Sequence, residues 1–270
     1  MSAEQRPARP SIALLREVTQ PPAVRGRRSA EHWTGDLYTR RISPYLTRML
    51  LRAGFSANGV TWLMIGSGWL AALALLIDGL AGAVLAVLLT QLQMLWDACD
   101  GEVARWRGTS SPMGIFLDKF GHYTAETLIA FALGIRAGGG LSHISTHHGW
   151  LATGAIFAWL VCLNKALNDM VHAARAGAGL SRLPDTAAAS RPRVGLLARL
   201  RQLARFVPFH RIYHSVELTL IALAAAVVDA VAGGHLVGTR TLVAVGAPLV
   251  LLSVVGHFLA ILTSARLRAE

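Results

Sequence analysis

Residues 97–126 read DACDGEVARWRGTSSPMGIFLDKFGHYTAE, and the rest of the chain is organised around them. Asp97 and Asp100 stand three apart, Asp118 and His122 four apart, and Glu126 follows one turn later. On a helix, residues at these spacings share a face. Between the acidic segments lie Gly108, Thr109, Ser110, Ser111 and Pro112, a run of turn-forming residues. The spacing predicts a helical hairpin that turns both polar faces toward one spot. Carboxylates aimed at one point in or near a bilayer repel one another and are costly to desolvate. One or two divalent cations relieve both costs, and oxygen donors suit magnesium, manganese or calcium.

Outward from this stretch the chain is apolar. Of its 270 residues 53% are hydrophobic and only 15% charged, a profile that excludes an ordinary soluble domain. Hydropathy and length predict an all-α, polytopic membrane protein with six transmembrane helices, at about 59–77, 80–105, 113–135, 149–172, 212–232 and 241–264. The net charge of +11 argues for anionic headgroups as partners, and no nucleic acid is expected. Ten Lys and Arg precede the first span and eight lie in the 173–211 loop, against Arg136 alone in 136–148 and Arg240 alone in 233–241. The positive-inside rule then places both termini and the acidic hairpin on the cytoplasmic side of the cell membrane.

Residues 1–35, rich in Arg, Pro, Ser and Ala with no apolar run, read as a disordered basic cytoplasmic tail. The membrane domain takes up 36–270. It opens with 35–53, where Leu37, Tyr45, Leu46, Met49 and Leu50 alternate with Arg40, Arg41, Arg48 and Arg52. This predicts an interfacial amphipathic helix, begun or bent at Pro44. Asn58 is a candidate N-cap for the first span. Cys99 and Cys162 sit in apolar segments and imply packing rather than a disulfide framework. Lys165, Asn168, Asp169, His172, His214, Glu217 and His257 are intramembrane polar residues, either functional or interhelical glue such as Lys165 with Glu217. The arginines of 182–211 suit anionic lipid or a phosphate. His143, His147 and His148 lack a carboxylate companion and read as incidental.

The central stretch resembles the motif of the CDP-alcohol phosphotransferases, also called CDP-alcohol phosphatidyltransferases, D-x2-D-G-x2-A-R-x8-G-x3-D-x3-D. Asp97, Asp100, Gly101, Ala104, Arg105, Gly114 and Asp118 fill seven of eight positions, and His122 stands in place of the last Asp. Ala57-Asn58-x-x-Thr61 is similar to the family's Pro-Asn-x-x-Thr entry, with Ala57 for Pro. The resemblance implies that Asp97, Asp100 and Asp118 hold metal ions, two divalent cations, Mg2+ or Mn2+, and His122 is a candidate further ligand in the place of the last Asp. It implies that Asn58, Thr61, Gly101, Ala104, Arg105 and Gly114 lie along the nucleotide. It implies a homodimer in contact with membrane lipids.

The activity implied is transfer of a substituted phosphate from a CDP-alcohol donor, such as CDP-diacylglycerol, to an acceptor alcohol, with CMP released, in phospholipid or phosphodiester-polyol synthesis. Asp118, His122 and Glu126 are then the catalytic candidates. His122 replaces the family's general base, and three readings stand: a substitute base oriented by Glu126, an altered metal ligand, or a mark of lost activity. Seven intact positions favour retained activity. The alternative is a non-catalytic membrane scaffold that keeps metal and nucleotide binding. A transporter fits less well, because the polar residues crowd one side of the bilayer.

Overall fold

A computed structural model describes residues 6–7, 10–22, 33–181 and 212–267. Among these there is no strand. The helices are α1 (Ile12–Thr19), α2 (Arg40–Arg52), α3 (Ala57–Ala74), α4 (Gly79–Arg107), α5 (Pro112–Ala137), α6 (His148–Gly177), α7 (Ser215–Val231) and α8 (Val237–Thr263), with a π-helical turn, Gly35–Thr39, leading into α2. The six expected apolar segments are therefore all helical, with ends shifted by a few residues. The arginines of 182–211, read as a lipid or phosphate surface, lie outside the described residues.

Three described helices, α4, α6 and α8, are long and apolar enough to cross a membrane, against the six expected. The others differ for physical reasons. α7 is short, at 17 residues, and α3, at 18, is diluted by Asn58, Thr61, Ser67 and its glycines. α5 is long enough, but it carries Asp118, Lys119, His122, Glu126 and Arg136, whose charges and polarity dilute its apolar content.

The described residues fall into two compact units, one within Met1–Leu70 and Leu88–His122, the other within Ala71–Val87 and Tyr123–Glu270. In the first, Leu50, Val60, Cys99 and Val103 form a buried core, with Leu46, Leu63 and Trp96 packed on it. Cys99 thus packs, as expected, and both cysteines are free thiols.

The amphipathic helix is present, but its polarity runs opposite to a soluble one. Ser43 and Thr47 are buried against α4, whereas Leu37, Ile42, Tyr45 and Met49 are exposed. An apolar stripe left outward on a helix with Arg40, Arg41, Arg48 and Arg52 suits the headgroup boundary of a bilayer.

The N-terminal region departs from the expectation of disorder. Ile12–Thr19 is helical, Ser11 Oγ accepts from Leu14 N–H as its N-cap, and Leu15 is fully buried. A polar, Arg-rich composition hides a single apolar anchor of this kind.

In the second unit, α8 packs on both α6 and α7. Gly134 of α5 and Gly154 of α6 meet so closely that a Cβ on either would sit about 2.4–2.5 Å from the other's Cα. Small residues of this kind let helix backbones approach within a membrane. The arginines counted as scarce outside charges have structural partners. Arg136 is buried and donates to the carbonyls of Leu75 and Ile77, just beyond α3, and of Gly79 at the start of α4. Arg240 donates to the Ala137 carbonyl at the end of α5. Asp229 accepts from the N–H groups of Gly238 and Thr239 and so caps the start of α8.

Candidate metal centre

The hairpin of α4 and α5 forms as its spacing predicts. Gly108 makes the reversal with φ +67°, a conformation that costs a side chain dearly. Pro112 begins α5, and Ser111 Oγ accepts from the Gly114 N–H to cap it.

Asp97 on α4 then faces Asp118 and His122 on α5. His122 Nε2 lies 3.1 Å from Asp97 Oδ1 and 3.5 Å from Asp118 Oδ1. One ligand atom from each of the three lies within 4.8 Å of the other two. All three side chains are part-exposed, which leaves the cluster open to a ligand. Two carboxylates and an imidazole at this separation fit a divalent cation, since these are hard oxygen donors plus one borderline nitrogen.

Asp100, one turn along α4 from Asp97, accepts from Thr61 Oγ1 at 2.8 Å, and the same hydroxyl reaches the Ala57 carbonyl at 3.1 Å. Thr61 of α3 thereby holds the second motif aspartate. Asn58 does not cap α3. Ser56 does so, its Oγ accepting from the Gly59 N–H at 3.0 Å. Asn58 instead stands beside Gly114, where a Cβ would lie 3.4 Å from Asn58 Oδ1.

Gly101 lies under the Arg105 guanidinium, which a Cβ there would approach to 2.9 Å. Arg105 itself donates from Nε to the Thr19 carbonyl at 2.6 Å, and Arg6 donates to the carbonyls of Arg105 and Trp106. A motif residue expected along the nucleotide therefore anchors the end of α1. Ala104 is half-buried on α4.

Glu126 is 1% exposed, and its partners are Lys165 and His214. Lys165 Nζ lies 2.8 Å from Oε1 as an ion pair rather than an aligned hydrogen bond, and His214 Nδ1 lies at 3.6 Å. The Lys165–Glu217 pairing offered as an example of interhelical glue gives way to Lys165–Glu126. Asp169 accepts from the Tyr123 hydroxyl at 2.8 Å, and His257 meets Asn164 at 3.1 Å. Within the central stretch, Glu102 and Gly121 escaped sequence reasoning. Glu102 is fully buried and accepts from Gln20, Ser43 and Thr47. Gly121 admits the close approach of Met64 and Ile65, which a Cβ would meet at 2.7–3.0 Å. The signal for both was a helical face: Glu102 points away from Asp97 and Asp100, and Gly121 precedes His122.

Residues 55–264 fit the family model of the CDP-alcohol phosphatidyltransferases. No curated protein matches the chain. The matched stretch is most of the sequence and contains the whole centre, so the chain belongs to the CDP-alcohol phosphatidyltransferase family. It is thereby a membrane transferase by class.

Proposed function

From that membership we infer that the protein moves a substituted phosphate group from a CDP-alcohol, such as CDP-diacylglycerol, to an acceptor alcohol and releases CMP. The observation that carries this reading is the convergence of Asp97, Asp118 and His122 within 4.8 Å at three of the family's motif positions.

Divalent cations, when bound, supply positive charge for the pyrophosphate and for the charge that builds on it during transfer. Asp97, Asp100 and Asp118 are the carboxylates that hold them, Asp100 steadied by Thr61. Gly101, Ala104 and Gly114 keep side-chain bulk away from the nucleotide, and Asn58 stands at its edge beside Gly114. The acceptor oxygen bonds to the β-phosphorus, the bond to the CMP oxygen breaks, and CMP leaves. The hydroxyl proton is taken up at this cluster, by His122 in the family's base position or by a carboxylate beside it. Glu126 acts as a positioning residue that fixes Lys165 and His214.

α3, α5 and α7 complete a six-helix membrane domain with α4, α6 and α8. Its termini and metal centre are cytoplasmic, where CTP-derived donors are made, and it works as a homodimer.

The test uses the full-length chain in lipid nanodiscs. CMP release is measured from CDP-diacylglycerol and from soluble CDP-polyols, each with candidate alcohols, with Mg2+ or Mn2+ and with chelator. The expected result is metal-dependent CMP release from at least one donor. Tight nucleotide and metal binding with no release from any donor would overturn the assignment in favour of a binding scaffold.

A further inference from the structure

We propose that His122 is a metal ligand through Nε2, and that it makes the centre select a transition-metal ion such as Mn2+ over Mg2+. The proposal rests on the reading of the centre as a cation site and adds the identity of the ion.

The two contacts are hydrogen-bond and ion-pair separations that also let the donors share one ion. Two donor atoms each about 2.1 Å from one ion lie about 3.0 Å apart at a right angle and about 3.4 Å apart at a tetrahedral angle. His122 Nε2 stands 3.1 Å from Asp97 Oδ1 and 3.5 Å from Asp118 Oδ1, matching both. The imidazole nitrogen is thus already turned toward the two carboxylates. The i, i+4 relation of Asp118 and His122 sets one edge, and the α4–α5 hairpin sets the other.

Charge and donor type act in the same direction. A histidine where the motif has aspartate removes one negative charge, which weakens the hold on hard, strongly hydrated Mg2+. Imidazole also raises affinity along the transition series relative to magnesium, which keeps to oxygen donors. With Nε2 on the ion, no lone pair remains there for the hydroxyl proton.

The experiment is Mn2+ electron paramagnetic resonance on the full-length protein in nanodiscs, grown with 14N- or 15N-histidine. A nitrogen hyperfine coupling that changes with the isotope is expected in the wild type. It should vanish in His122→Asp and in His122→Asn, while Mn2+ still binds in His122→Asp. The ratio of Mn2+ to Mg2+ affinity, from competition, should fall in His122→Asp, where a charged oxygen donor replaces the imidazole nitrogen. No isotope-sensitive coupling at saturating Mn2+, an unchanged ratio, or a coupling that persists in both variants would overturn the proposal. The last result would place the nitrogen at another histidine, such as His143 or His147. None of these readouts depends on turnover, so failure here leaves the transferase assignment standing, and absent CMP release leaves the ligand assignment standing.

Discussion

Gln20 Nε2 donates to Glu102 Oε1 at 2.8 Å, joining the end of α1 to the middle of the central acidic stretch. The same carboxylate accepts from Ser43 Oγ at 2.6 Å and Thr47 Oγ1 at 2.7 Å on α2, with Arg40 at 4.0 Å. A fully buried carboxylate with three donors is the joint of three helices. Removing it strands those donors, each at about 1–3 kcal/mol. Glu102→Ala is therefore expected to lower the thermal midpoint in detergent clearly, and Glu102→Gln to lower it less, because an amide oxygen still accepts. Equal midpoints for Glu102→Ala and the wild type would show that the joint contributes nothing.

Arg105 supplies the second tie, Nε to the Thr19 carbonyl at 2.6 Å. Arg105→Ala frees the end of α1 and leaves that carbonyl without its donor. Faster trypsin cleavage after Arg16 is the expected outcome, read by mass spectrometry at matched digestion times. An unchanged rate would mean that Leu15 burial, Gln20 and the contacts of Arg16 with the Arg41 carbonyl and the Tyr45 ring suffice to hold α1.

The centre was legible because it depends on local spacing. Asp97, Asp100, Asp118 and His122 lie within 26 residues, and helical periodicity with one glycine turn suffices to bring them together. What escaped depends on partners distant in sequence. Nothing around Glu126 marks Lys165, 39 positions on, as its partner in place of a nearer histidine. Before residue 35 the short run Ile12-Ala13-Leu14-Leu15 was the one signal for a core residue, and the surrounding arginines and prolines outweighed it. Three of the six expected spans fall short of the length and apolar content of a crossing helix for a related reason, α5 because it gives part of its surface to charged side chains.

The Gly134–Gly154 approach separates two kinds of glycine. At Gly154 a Cβ would meet Gly134 Cα at 2.5 Å, backbone that has no rotamer to yield. Gly154→Leu should destabilise by about 1–3 kcal/mol or more, as overpacking does. At Gly66, inside α3, a Cβ meets nothing within 4 Å. Gly66→Ala should instead stabilise by about 0.5–1 kcal/mol through reduced chain entropy. Thermal unfolding of the two variants in one detergent checks the opposite signs.

Orientation follows from the distribution of arginine. With ten cations before the first span and eight in 173–211, the sparsely charged 136–148 segment should face outward. Ser145, exposed in that segment, offers a site for Ser145→Cys. Labelling by a membrane-impermeant maleimide is expected in intact cells. Labelling only after permeabilisation would put the acidic hairpin on the face opposite to the one where CTP-derived donors are made.

The three aspartates provide the decisive series. Asp97 and Asp118 face His122 directly, and Asp100 is held by Thr61 one turn away. Each →Asn change keeps volume and some hydrogen bonding but removes a charged oxygen ligand. Metal affinity should fall, and metal-dependent CMP release should drop to background in all three. Thr61→Val is a graded control. It removes one donor to Asp100 and leaves the charge, so a loss of about fivefold is expected, the equivalent of one ordinary hydrogen bond of about 1 kcal/mol. Excess Mn2+ should partly restore Thr61→Val, where the ligand is only misplaced, and should fail to restore Asp97→Asn, where it is gone. Near-normal release in any two of the aspartate variants would rule out a catalytic cation site built from these carboxylates.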